Sequence, residues 1–113
     1  MTRGKVLWTK SARRDLESIV AWLADRSPQA ALSTLDQLET RAKSLQTLAE
    51  RGRIVPELGR LHIQQYRELV VPPYRIVYRV RASKVLVLAA LDARRSLEDI
   101  LLDRLIRIEG PEQ

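Results

Sequence analysis

The chain has no cysteine among its 113 residues. That excludes disulfides, thiolate metal sites and cysteine nucleophiles together and suits a reducing compartment, with the cytoplasm as the expectation. Histidine is nearly absent too. His62 is the only one and has no second histidine to complete a metal site, so neither metal nor cofactor is expected. Gly52, Gly59 and Gly110 stand outside any glycine-rich turn between a strand and a helix, so there is no phosphate-binding loop. Long apolar runs are missing: between Met1 and Lys10 only Val6-Leu7-Trp8 is apolar, too short for a signal-peptide core or a membrane span, and no membrane partner is expected. Glu57, Glu68 and Asp92 are separated by long loops or strands, and no spacing pairs two carboxylates for acid–base work, so no catalytic residue is assigned.

What remains fits one domain over residues 1–113, with a single core. Lys5 to Thr9 reads as a short strand ending at Ser11, an N-cap for a helix in which Ala12, Leu16, Ile19, Val20 and Leu23 form an apolar stripe. Trp22 lies at the edge of that stripe. Ser27-Pro28 supplies an N-cap and a proline at the first helical position. The second helix carries Ala31, Leu35, Leu38, Ala42, Leu45 and Leu48 and is predicted to end at Gly52 as its C-cap. The two helices form an antiparallel hairpin. After a loop from Gly52 to about Gln64 the apolar period changes from 3.6 to two. Tyr66 to Val71 and Tyr74 to Arg81 read as strands around Pro72-Pro73, and Lys84 to Leu91 as a strand covered on both faces. Ser96-Leu97-Glu98-Asp99 approximates a capping box opening a last helix through about Arg107, with Gly110-Pro111 ending it. The fold class is α+β, in the order β-α-α-β-β-β-α: an N-terminal strand, an antiparallel helical hairpin packed on a curved, mainly antiparallel sheet, and a C-terminal helix.

The net charge of +6 favours anionic partners, and its distribution is uneven. From Ser11 to Arg51 six basic residues meet six acidic ones, whereas Tyr66 to Arg95 holds seven basic and two acidic. On the strand from Tyr74 to Arg81, Tyr74, Ile76, Tyr78 and Val80 should pack beneath the helices, leaving Arg75, Val77, Arg79 and Arg81 on the other face. Arg94 and Arg95 follow the next strand. A solubilising face and a binding face explain this pattern about equally well. Trp8 and Trp22 suit a core or groove better than a base-stacking platform. In the last helix, Leu97, Ile100, Leu101, Leu105 and Ile108 form a packing face, while Leu102 and Ile106 point away, toward either a deep sheet contact or a protein partner.

The strand and helix start Lys5 to Leu16, the helical hairpin, Tyr74-Arg75-Ile76-Val77-Tyr78, and Val85 to Leu91 leading into Ala93-Arg94-Arg95 together resemble the RelE/ParE family of bacterial toxins, over almost the whole chain. The resemblance implies neutralisation by a co-expressed antitoxin whose C-terminal segment wraps the toxin. It also implies one of two activities. The RelE-like branch cleaves messenger RNA on the ribosome through basic sheet residues and an acid–base residue near the C-terminus. Here its arginine four residues before Tyr74 is replaced by Val70, and its late tyrosine by Ile100 or Leu101; only Arg94 matches. The ParE-like branch shares these departures and inhibits DNA gyrase. The expectation is therefore a gyrase inhibitor that is not an enzyme and does not bind nucleic acid directly, with Arg75, Arg79, Arg81, Arg94 and Arg95 facing the target. A ribosome-dependent ribonuclease is the alternative, and a non-toxic binding module on the same fold a further one. The partner is expected to be a ParD-like ribbon-helix-helix antitoxin, whose acidic, partly apolar segment lies over Trp22, Tyr66, Arg67 and Leu69.

Overall fold

A computed structural model describes residues 4–94 and 97–109. Strand β1 (Lys5–Trp8) leads into α1 (Lys10–Ala24), α2 (Pro28–Lys43) and a 3₁₀ turn at Ser44–Gln46. Then come β2 (Arg53–Ile54), α3 (Pro56–Gly59), β3 (Tyr66–Val71), β4 (Tyr74–Arg81), β5 (Lys84–Asp92) and α4 (Leu97–Glu109). The strands form one sheet in the order β1-β5-β4-β3-β2, with β1 parallel to β5 and every other pair antiparallel. The α+β class and the order read from the sequence hold, and β5 is interior as expected.

Local chemistry sets the helix ends. Ser27 caps α2, its hydroxyl accepting from the Ala30 amide at 3.2 Å, ahead of Pro28. The first helix starts earlier than expected. Thr9 rather than Ser11 is its cap, accepting from the Ala12 amide at 3.1 Å. The second helix stops at Lys43 rather than running to Gly52, and Leu48 is consequently exposed. Gly52 is no helix cap. It is buried with its amide donating to the Tyr78 hydroxyl at 3.0 Å. Ser96, Arg95, Gly110 and Pro111 lie outside the described residues, as do the side chains of Leu97, Asp99 and Ile108.

The sheet has two covered faces. On one, Tyr74, Ile76 and Tyr78 of β4 and Leu69 and Val71 of β3 pack with Ala12, Leu16, Leu38 and Leu45 of the helical side. Val80, at the far end of β4, escapes that cover and is exposed. On the other face, Tyr66, Val77, Ala89 and Leu91 pack against Val55, Leu58, Leu101 and Leu105. This second cover was not expected from the sequence. It comes from the segment read as a loop, in which α3 is a single turn placing Leu58 inward, together with α4. The cationic face expected on the odd positions of β4 is thus enclosed along its first half, where Val77 is completely buried and Arg75 nearly so, while Arg79 is half-buried and Arg81 exposed. Leu102 packs partly on this second core, whereas Ile106 is 73% exposed. Among the described residues, no helix is long and apolar enough to cross a membrane.

Candidate functional site

Beyond Trp8, β1 ends and the upper half of β5 loses its strand neighbour on that side while staying paired with β4, leaving backbone groups that need partners. Asp15 on α1 fills that role: its carboxylate accepts from the Ala90 amide at 3.0 Å. Arg104 on α4 donates to both Asp15 oxygens and also to the Leu88 carbonyl. One largely buried ion pair thereby ties α1, β5 and α4 together.

From this tie a groove of about 490 Å³ runs between α1 and the ends of β4 and β5. Ser18, Ile19 and Trp22 line one wall, spaced as one helical face. Tyr74 and Asp92, directly opposed across the β4–β5 ladder, form the other. Arg94 stands at the rim. Its backbone amide and Nε donate to one Asp92 oxygen at 2.8 and 2.9 Å, and Nη2 donates to the other at 2.6 Å. The Asp92 carboxylate raises the Arg94 pKa further above its ordinary value, so the guanidinium is a permanent, oriented cation. Burial pushes the Tyr74 hydroxyl pKa up; the nearby Asp92 adds to that shift and Arg94 opposes it. Trp22 is 55% exposed, with the Arg26 guanidinium 3.7 Å from its ring centroid.

The residues expected to face a target do not form one surface. Arg75 is corrected outright: its side chain is 8% exposed. Nη1 and Nη2 donate to the two Glu57 oxygens at 2.8 and 2.7 Å, and Nε donates to Glu68 at 2.6 Å. Arg53 holds the second Glu68 oxygen at 2.7 Å. Hydrogen bonding to Arg75 pulls the Glu57 pKa down to about 2. Two carboxylates that the sequence left unconnected thus meet on one guanidinium, because α3 folds over the sheet. Arg79 is half-buried over the Tyr66 ring, 5.7 Å from its centroid, and Arg81 is exposed near the end of β4. Arg94 is exposed at the groove, and Arg95 lies outside the described residues.

Of the residues expected to meet an antitoxin, Tyr66 and Leu69 are core residues of the two sheet faces, each 4% exposed, so neither can form a surface contact. Arg67 is half-buried and donates to the Gly52 carbonyl at 2.8 Å. Trp22 alone of the four is openly exposed. The groove therefore joins one residue expected for each partner, Trp22 and Arg94. No spacing in the sequence signals that Asp15, Ser18 and Tyr74 stand between them. Among the described residues, no group of three or more His, Cys, Asp or Glu is placed to hold a metal ion.

Residues 6–97 match the family described as the ParE toxin of the type II toxin-antitoxin system, parDE. Toxin RelE2 of Caulobacter vibrioides is 40% identical over 92 residues, covering 80% of this chain and 97% of the relative. Toxin RelE3 of the same organism is 36% identical over 80 residues, covering 67% and 79%. Two solved structures share the fold. A chain of the chromosomal ParDE system from P. aeruginosa superposes with a TM-score of 0.63 at 23% identity, covering 80% of this chain and 96% of that one. A chain of the toxin-antitoxin complex RelBE2 from Mycobacterium tuberculosis gives 0.56 at 19%, covering 81% and 93%. These findings correct the expectation that the chain is not an enzyme. Both curated relatives bear the RelE name, which belongs to the branch whose implied activity is cleavage of messenger RNA.

Proposed function

Because the chain belongs to the ParE toxin family of type II toxin-antitoxin systems, we propose that it cleaves messenger RNA at the α1–β5 groove and that its antitoxin silences it by occupying that groove. The observation carrying this reading is Arg94. It is the one residue matching the RelE-like pattern, and Asp92 holds its guanidinium by two side-chain hydrogen bonds at the mouth of a groove large enough for a nucleotide. A planar cation fixed in advance stabilises a phosphate whose charge grows in the transition state, and it needs no reorganisation as the reaction proceeds. Direct contact with RNA replaces the earlier expectation of none.

The antitoxin half of the reading rests on Trp22. An exposed indole in an amphipathic groove is the kind of anchor on which a partner's apolar side chain gains most. Arg26 and Arg94 at its borders suit the acidic residues of a segment that orders on binding. A partner seated on Trp22 shares its groove with Arg94, so neutralisation is occlusion.

The ParE family match and the loss of arginine at Val70 favour a second reading, in which the target is DNA gyrase and Arg79 and Arg81 make the contact. Two assays on the free toxin separate the readings: primer extension across messages on translating ribosomes, and gyrase supercoiling. Cut messages with normal supercoiling, and loss of the cuts in Arg94→Ala, support the first. Uncut messages with blocked supercoiling support the second.

A further inference from the structure

Cleavage of RNA without metal joins the ribose 2′-oxygen to phosphorus as the bond from phosphorus to the 5′-oxygen breaks. One proton leaves the 2′-hydroxyl and one must reach the departing 5′-oxygen. The late position at which the RelE-like branch keeps an acid–base residue offers none here. Leu101 is buried in the second core and Ile100 is packed beside it, and neither carries a proton to give.

The groove holds another candidate. The Tyr74 ring is packed in the first core, yet its hydroxyl is bonded to no described residue and is not sealed from solvent. Tyr78, four residues on along the same strand, differs: its hydroxyl accepts the buried Gly52 amide and is committed to the fold. Tyr74 sits across the ladder from Asp92, whose carboxylate orients Arg94. A phenol whose ring is packed in the core and a guanidinium oriented by Asp92 therefore line one cavity, and the phenol has its proton to spare.

Building on the RNA-cleavage reading, we propose that Tyr74 is the general acid of this toxin, donating its hydroxyl proton to the departing 5′-oxygen of a phosphodiester bound at Arg94. The 2′-hydroxyl proton passes to solvent. The products are a 2′,3′-cyclic phosphate and a 5′-hydroxyl end, and the Tyr74 phenolate regains its proton from water. No further reactant is needed. Burial of the ring keeps the hydroxyl protonated across the neutral range, as a donor must be. Asp92 acts as a positioning residue through Arg94.

The test uses translating ribosomes carrying either natural message or message with sulfur in place of the bridging 5′-oxygen at the cleaved bond. Sulfur departs without being protonated. Tyr74→Phe should slow cleavage of natural message by about 10²- to 10⁴-fold and slow the sulfur-substituted message by no more than a few-fold. Its melting temperature should match that of the unsubstituted toxin, since the hydroxyl bonds to no described residue. Equal rates for Tyr74→Phe and the unsubstituted toxin on natural message overturn the assignment while leaving the RNA reading intact. An equal slowing on both messages also overturns it, by showing that Tyr74 positions rather than protonates. Unsubstituted toxin inert on both messages overturns the RNA reading itself, and this assignment with it.

Discussion

A Cβ added at Gly52 would lie 2.5 Å from the Glu68 carbonyl oxygen and 2.6 Å from the Tyr78 hydroxyl, well inside contact distance, and both neighbours belong to interior strands that cannot yield cheaply. Gly52→Ala should therefore destabilise the toxin by about 1–3 kcal/mol or more through overpacking, read as a lower midpoint in urea unfolding. A midpoint unchanged within error would mean that the turn moves freely off Tyr78. Glycine after a helical stripe reads naturally as a C-cap, and nothing in the order of residues reveals a phenol 26 positions later waiting to fill the missing side chain's space. Glu57 shows the same limit in charge. Its carboxyl is held at about pH 2 in the fold against 4.5 when free, chiefly by the Arg75 hydrogen bonds. The lowered value means that the contribution is complete above about pH 4.5 and is lost as pH falls toward 2. With allowance for solvent screening it amounts to roughly 1–3 kcal/mol. Glu57→Gln should flatten that part of the stability profile between pH 5 and 2, and a profile that keeps its slope would place the acid-labile group elsewhere.

Elements differ in how plainly the sequence announces them. Strands β3 and β4 match the ranges read from their period-two pattern, and the hairpin helices follow their stripes of leucine and alanine. The four-residue helix α3 was invisible, because a single turn with one buried leucine has no period to detect. That omission hid the second layer. Alternation shows which residues of β4 share a face, but a covered face and an open one alternate alike, and so the pattern alone points Arg75 outward. The tie between α1 and α4 is equally long-range, joining residues 89 positions apart. It also carries the element-scale expectation. In Asp15→Asn the amide oxygen can still accept from Ala90, but Arg104 loses its charge partner in a place where its side chain is only 19% exposed. Hydrogen exchange should show α4 amides losing protection by about ten-fold or more, equivalent to about 1.4 kcal/mol, with the α1 and β4 amides unaffected. Uniform loss across all elements would show that the pair supports the global fold rather than the seating of one helix.

For the molecule as a whole, burial separates residues that hold the toxin together from those left open along the groove, and the two hydrophobic residues Leu38 and Trp22 mark the extremes. Leu38 is fully buried in the first core, so Leu38→Ala should cost about 2–5 kcal/mol through the cavity it leaves. Leu35, expected from its stripe to behave in this way, is only half-buried and should cost less. Trp22 is more than half exposed, with the Arg26 guanidinium over its ring; truncating it removes little that folding buried. If the antitoxin anchors there, Trp22→Ala should weaken the complex by about 2 kcal/mol, roughly thirty-fold in Kd, in calorimetric titration, while the melting temperature of the free toxin stays within about a degree. The variant should also resist rescue in cells, arresting growth at antitoxin levels that protect against the unsubstituted toxin, because Arg94 and Tyr74 remain in place beside the altered wall. Unchanged affinity would move the antitoxin off this groove and remove occlusion as the means of silencing. A fall in melting temperature comparable to that of Leu38→Ala would instead make Trp22 a structural residue whose exposure in the free chain is only apparent.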